Sequence, residues 1–336
     1  VQALDGLPLR SGDRGVEVRD LQQRLAALSF DTSGDSGGHF GPHTAEAVRA
    51  FQEERGLRVD GVCGDQTWAA VVEAGYRLGG RLVYLRQPML RGDDVASLQR
   101  RLGALGFDAG RVDGIFGPDT QSALTEFQRN NGLVVDGVCG PATVQGLERL
   151  GKRQEEREPV AVVRETEALR QAPRTLDAKH VALGGDGLHA VLSTVARALV
   201  EAGALVTLVQ HPDQSEQAGE ANACEADVYL GLHLLAGRQE CSSAHYAGHR
   251  YESAGGRRLA ELVQAALPAA LGVHDAGVRG MALPVLKETR MPAVLCEVGP
   301  PERVVAGAAA LASALTQVLT DWAAQPWDDL EGTGSS

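Results

Sequence analysis

Aromatic residues are scarce. They make up 4% of the 336-residue chain, against 43% hydrophobic residues in all, so the packed cores must rest on Leu, Val and Ala. Basic residues are in deficit: 32 Lys and Arg stand against 44 Asp and Glu, for a net charge of −12. That balance argues against a nucleic-acid binder, because neutralising phosphates takes a basic face, and against docking on anionic lipid. Long apolar runs are missing too. The most apolar stretch, 196–209, is broken by Arg197 and Glu201, so nothing approaches the ~18 residues of a membrane span and no membrane insertion is expected. Cysteine is sparse: five residues, an odd number with no CxxC pair, run from Cys63 to Cys296. Neither a disulfide framework nor a Cys-based zinc site reads out of this, and a reducing cytoplasm is expected. No Lys/Arg-headed apolar segment opens the chain, which begins at Val1; export is expected only if a leader precedes that residue in the native protein.

What the sequence does contain is an internal repeat. Phe40-Gly-Pro-His-Thr44 returns as Phe116-Gly-Pro-Asp-Thr120, Phe51-Gln52 as Phe127-Gln128, and Val59-Asp-Gly-Val-Cys-Gly64 as Val135-Asp-Gly-Val-Cys-Gly140, each 76 positions on. Leu21-Gln22 returns as Leu98-Gln99 at an offset of 77, which places one extra residue in the 29–39 loop of the first copy. Two copies are too few for a solenoid; they read as tandem domains over 1–78 and 79–150. Val18, Leu21, Leu25 and Leu28, like Val95, Leu98, Leu102 and Leu105, keep helical spacing. Pro42 and Pro118 then open new helices, where a missing N–H costs nothing. Asp-Gly-Val-Cys-Gly is a tight turn before a third helix, around Thr67–Ala74 or Thr143–Leu150.

In that order the residues resemble the three-helix peptidoglycan-binding domain, over about 9–75 and 87–150. The pattern Leu-Gln-x-x-Leu…Phe-Gly-Pro-x-Thr…Phe-Gln…Val-Asp-Gly-Val-x-Gly is matched twice, with Cys63 and Cys139 where the family more often has Val. The resemblance implies that this half holds cell-wall glycan or peptide, in a bacterium.

Residues 151–175 carry eleven charged residues and two Pro and read as a linker, partly helical. From 176 to 325 the texture changes. Apolar runs at 180–183, 205–209, 228–234 and 293–298 alternate with helical patterns at 187–203, 255–271 and 303–322. Such alternation predicts an α/β domain with a mostly parallel sheet, whose functional groups sit at the carboxyl ends of strands. Residues 326–336 read as an acidic, flexible tail, in which Thr333 is a candidate phosphoacceptor. A phosphate there adds about −1.5 to −2 charge for a partner's Arg cluster to read.

Ala221-Asn222…Ala226-Asp227…Leu232-His233 and Leu286-Lys-Glu-Thr-Arg-Met-Pro-Ala-Val-Leu-Cys-Glu297-Val-Gly299 resemble two strands of the zinc-dependent N-acetylmuramoyl-L-alanine amidases, a likeness that covers about 176–324. The resemblance implies a zinc-ligand role for His233 and the catalytic-Glu position for Glu297. Zinc hydrolysis needs three protein ligands, an open position for water and a base. The family's first His lies in an Asp-Pro-Gly-His-Gly-Gly loop after the first strand, and its ligand Glu opens the next helix. Here that place reads Leu183-Gly184-Gly185-Asp186-Gly187 and passes straight to Leu188-His189. Against that pattern the His is absent and the Glu is deleted; His189, Asp186, His245 and His249 are the candidate substitutes.

A rival reading takes Gly185-Asp-Gly187-Leu-His-Ala190 as a phosphate cradle of the dinucleotide type. The acid expected about 20 residues on is missing, since Asp213 comes 26 after Gly187. The expectation is therefore a non-catalytic, amidase-like protein with no cofactor, related to the degenerate cytoplasmic members of the family. It would bind peptidoglycan precursors or wall-synthesis enzymes through His233, Glu297, Gly185 and Gly187, and regulate wall synthesis. The alternative is a working zinc amidase that cleaves the amide between N-acetylmuramic acid and L-alanine.

Overall fold

The computed structural model describes residues 6–151, 160–248 and 251–327. The chain forms two compact units that divide between Val163 and Arg164. Thr333, Leu330, His249 and residues 152–159 of the charged segment lie outside the described residues.

The first unit is helical: α1 (Val16–Ala27), α2 (Pro42–Glu54) and α3 (Asp65–Ala74) make one repeat, and α4 (Asp93–Ala104), α5 (Pro118–Asn130) and α6 (Pro141–Gly151) the other. Each has its own core, around Leu21, Leu25, Phe40 and Phe51 in the first and Leu98, Leu102, Phe116 and Phe127 in the second. Pro42 and Pro118 stand at the first helical position, as the sequence predicts.

Inside the long repeat lies a shorter one, seen four times. Gln52, on α2, donates to Val62 O (2.9 Å), Asp60 Oδ1 (2.8 Å) and Thr67 Oγ1 (3.1 Å), and its Oε1 accepts from Gly61 N (2.9 Å). Gln99 does the same with Ile115 O, Asp113, Thr120 and Gly114 N, and Gln128 with Val138 O, Asp136, Thr143 and Gly137 N. Gln22 binds His39 O, Thr44 and Gly38 N, while Asp35 takes the Thr44 N–H and hydroxyl in that longer loop. Every repeat is thus two overlapping units in which a buried helical Gln closes the turn that starts the next helix. Buried turn amides must find partners, and one amide side chain supplies both a donor and an acceptor.

The two repeats are joined inside this unit. Arg55, at the end of α2, makes a bidentate pair with Asp93 at the start of α4 (2.9 and 3.0 Å). Arg81 binds the fully buried Asp94 and Arg91 O, and its guanidinium lies 3.5 Å from the centre of the Tyr76 ring.

The second unit begins within α7 (Val160–Gln171). Here the charge count misled: the second half of that helix is part of a core. Leu169 is buried against it, and Glu165 accepts hydrogen bonds from Tyr251, from Ser253 Oγ (2.6 Å) and from Gly255 N (3.3 Å). The sheet follows, with β1 (His180–Gly185), α8 (His189–Glu201), β2 (Leu205–Val209), α9 (Gln214–Ala223), β3 (Val228–Leu234), β4 (Glu240–Gly248), β5 (Tyr251–Glu252), α10 (Ala254–Leu271), β6 (His274–Met281), α11 (Pro284–Glu288), β7 (Ala293–Val298), α12 (Pro301–Ala306) and α13 (Ala308–Ala324). The strand order is β2-β1-β3-β7-β4-β5, with β6 on β4. β1, β2, β3 and β7 are mutually parallel; β4 runs against β7 and parallel to β6. The predicted strands at 180, 205, 228 and 293 are present, and β4 and β6 add to them. One sheet face packs on α8, α10 and α13 through Val181, Leu183, Leu230, Val294 and Cys296. The other face carries the intervening residues, because side chains alternate along a strand. Trp327 packs against this core, with the Arg174 guanidinium over its ring at 4.2 Å, so the predicted tail is anchored at its start.

Candidate functional site

The carboxyl ends of β3 and β7 place the two residues singled out by sequence side by side. His233 and Glu297 are register partners across these parallel strands, so their side chains leave the same face. His233 is exposed and Glu297 is buried. On the far side of β7, Ser242 of β4 stands directly opposite Glu297, and cross-strand partners of this kind have Cβ atoms about 5 Å apart. Ser242 is buried and accepts a hydrogen bond from Arg279 Nη2 of β6 (2.8 Å). His233, Glu297 and Ser242 thus share one register line, while Arg279, whose register partner on β4 is Ala244, reaches back to Ser242 with its guanidinium. The sequence reading missed Ser242 and Arg279 because it missed their strands. Ser-Ser-Ala-His in β4 and Asp-Ala-Gly in β6 carry few strand-forming residues.

The other motif residues hold the scaffold. Asp227 caps the start of β1 through His180 N (2.7 Å). Asn222 ties α9 to the segment before β7, donating to Glu288 O and accepting from Arg290 N (both 2.8 Å). Tyr229 is fully buried and donates to Gln217 Oε1 (2.6 Å). Its ring lies over Gly184 and Gly231, which are register partners: a Cβ on Gly231 would stand 2.9 Å from it, and one on Gly184 would overlap its hydroxyl. Burial pushes the Cys241 thiol up to about 12 and Cys296 well above its ordinary range, so neither is a nucleophile at neutral pH.

Gly184 and Gly185 are not loop residues. They end β1, and Gly185 lies against β3, where an added Cβ would meet Leu232 O at 2.9 Å. Only residues 186–188 separate that strand from α8, with Gly187 at φ +68°. Gly185 is therefore packed in the sheet rather than open to a phosphate, which removes the basis of the dinucleotide reading. His189 Nδ1 lies 3.0 Å from Gln210 Oε1, just beyond β2. β2 and β3 flank β1 on opposite sides, so this contact is made on the side away from His233. His245 is buried on the α10 face and paired with Glu252 (2.8 Å). Neither supplies a ligand beside His233. Among the described residues no three His, Cys, Asp or Glu side chains are placed to hold a metal ion. That donor set does not fit a hydrolytic zinc, which takes three protein ligands.

Residues 14–71 and 91–147 each match the family model of the peptidoglycan binding domain, and 186–301 match that of N-acetylmuramoyl-L-alanine amidase. The N-acetylmuramoyl-L-alanine amidase CwlM of Mycobacterium tuberculosis is 35% identical over 335 residues, covering 88% of this chain and 82% of the relative. The chain belongs to the N-acetylmuramoyl-L-alanine amidase family. CwlL of Bacillus licheniformis is 32% identical over 168 residues, covering 44% of this chain and 47% of that relative, so this chain spans less than half of CwlL's length. Among solved structures, the catalytic domain of the amidase CwlV of Paenibacillus polymyxa aligns with 17% identity and a TM-score of 0.38, over 43% of this chain and 97% of that one. The amidase-family match includes both His233 and Glu297.

Proposed function

We propose that this amidase-family protein is a binding protein and regulator of peptidoglycan synthesis rather than a hydrolase. The observation that carries the reading is the three-residue passage from β1 into α8, which leaves no room for the loop where the family keeps a ligand His, and no ligand Glu before α8. Without a metal site, the retained His233–Glu297 pair serves recognition. The imidazole is open to solvent beside a carboxylate at the carboxyl ends of β3 and β7, which suits a polar ligand such as a muramyl-peptide precursor. The helical repeats supply wall binding, the five free thiols suit a reducing cytoplasm, and wall-synthesis enzymes are the proposed protein partners.

Metal analysis of the purified chain together with a peptidoglycan-solubilisation assay tests this. Far less than one zinc per chain and no solubilisation are expected. One zinc per chain, lost on His233→Ala, with release of soluble muramyl peptides, would establish the hydrolase instead. The double variant Glu297→Gln/His233→Ala is expected to weaken precursor binding with little change in melting temperature; equal binding by the two proteins would make both residues relics.

A further inference from the structure

The two helical repeats differ at one corresponding place. Main-chain pairs fix the correspondence: Leu9 with Cys63 matches Val83 with Cys139, and Arg14 with His39 matches Arg91 with Ile115. Glu17 and Asp94 are then the second residues of α1 and α4, and each carboxylate lies against the glycine that precedes its helix: a Cβ on Gly15 would meet Glu17 Oε2 at 2.5 Å, and one on Gly92 would meet Asp94 Oδ1 at 2.6 Å. In the second repeat Asp94 is taken by the Arg81 guanidinium (2.6 and 3.1 Å), which also donates to Arg91 O (2.7 Å). Arg81 lies two residues before Val83; two before Leu9 stands Leu7, which packs on the first repeat's core instead. Beside Glu17 there is accordingly a pocket of about 420 Å³, lined on one side by Pro8, Leu9 and Arg10 and on the other by Asp13, Arg14 and Glu17, a size that suits a small ligand. Among the described residues no guanidinium or ammonium pairs with Glu17.

The second repeat shows what this place holds: a cation, gripped by the carboxylate of the first helical turn. The first repeat keeps the carboxylate and lacks the cation, so a ligand has to bring it. The other charges narrow the choice. Asp13 adds a second carboxylate, one oxygen of which accepts from Arg10 N (2.7 Å), and Arg10 and Arg14 are exposed residues on the pocket wall. A lone ammonium would satisfy Glu17 and leave both guanidinium groups facing it. An ammonium and a carboxylate on one carbon satisfy both signs, because guanidinium forks pair with carboxylates. We propose that this pocket binds the zwitterionic end of a diamino acid in a peptide stem, with Glu17 taking the ammonium and Arg14 the carboxylate. Acylation of that amine, as in a cross-linked stem, removes its charge, so the pocket selects stems that are not cross-linked. The proposal rests on the reading of the helical repeats as the wall-binding half.

The test is calorimetric titration of the full chain with N-acetyl-L-alanyl-γ-D-glutamyl-meso-diaminopimelate and with the same tripeptide acetylated on its side-chain amine, beside sedimentation with insoluble peptidoglycan. The wild type is expected to prefer the free amine by about tenfold or more, the worth of one charge-assisted pair. Glu17→Gln is expected to bind both forms equally and weakly. Arg14→Gln is expected to weaken both and keep the preference, and neither change should move the melting temperature. Binding of the free-amine tripeptide without sedimentation supports the pocket and makes soluble precursors its ligands. Equal affinity of the wild type for the two forms, a preference that survives Glu17→Gln, or no tripeptide binding by a chain that still sediments overturns the pocket and leaves wall binding by the repeats standing. A chain that binds neither tripeptide nor peptidoglycan overturns that reading as well.

Discussion

Both units bury polar side chains, but for different ends. In the helical unit the buried Gln22, Gln52, Gln99 and Gln128 each close a turn and start a helix. Removing one leaves main-chain groups without partners, so these residues serve the fold. In the α/β unit Glu297 is buried near the carboxyl end of β7, a strand paired on both sides by β3 and β4. The ladder already satisfies that backbone, and the carboxylate stands in a row with Ser242 and His233 at the strands' carboxyl end. Burial of a polar group therefore says little by itself; its place in the fold, at a turn or at the end of a strand, distinguishes the two cases.

The sharpest way to break this comparison is Gln52→Ala. It strands the Gly61 N–H and the Thr67 hydroxyl and takes one of two donors from the Val62 carbonyl, and unsatisfied buried groups cost about 1–3 kcal/mol each. A loss of about 3 kcal/mol in the helical unit is expected in denaturant titration, with the α/β transition unmoved. A loss below about 0.5 kcal/mol, the usual range for a surface change, would show that the glutamines are dispensable.

Gly184→Ala comes next. The added methyl collides with the Tyr229 ring, which lies across Gly184 and its register partner Gly231, and overpacking costs about 1–3 kcal/mol. Thermal unfolding of the α/β unit should shift down, and adding Tyr229→Phe, which deletes the overlapped hydroxyl, should recover part of it. If the second change deepens the loss, the Gln217 hydrogen bond matters more than the crowding.

The Arg55–Asp93 pair sharpens the contrast between the repeats and the segment that joins them. Arg55 is mostly covered and Asp93 is half-exposed, 18% and 42%, so a double-mutant cycle should return about 0.5–1 kcal/mol, the upper range for exposed pairs. A coupling of zero would mean that the Arg81–Asp94 clamp alone holds the junction.

The smallest effect is on acid stability. The Val138 N–H, and then the Gln128 amide, hold the Asp136 carboxyl below its ordinary value of 3.8. A carboxyl depressed in the folded state stabilises the fold above its unfolded pKa and loses that contribution as pH falls through the folded one. The helical unit should therefore weaken as the pH drops below about 4, and Asp136→Asn should flatten the slope. An unchanged slope would assign the acid sensitivity to other carboxyls.

Much of this was legible in the chain. The 76-residue offset marked both repeats, and the Pro at each helix start and the Asp-Gly turns were read at their places. Apolar runs located β1, β2, β3 and β7, and with them His233 and Glu297. The shorter Gln-centred repeat was not seen, because a Gln on a helix looks like a surface residue until its turn is folded back onto it. Residues 160–171 looked like linker because charge was counted and Leu169 was not weighed against it.

The sequence by itself determined the architecture, since core spacing, turn residues and helix starts are local signals. It also determined the short Asp186-Gly187-Leu188 passage from β1 into α8, because a Gly-rich run next to a helical pattern is visible without a fold. Only tertiary structure decided the site. β4 and β6 are held by their neighbours rather than by their own composition, and Ser242 stands opposite Glu297, with Arg279 bonded to it, because strands far apart in sequence lie about 4.8 Å apart in the sheet.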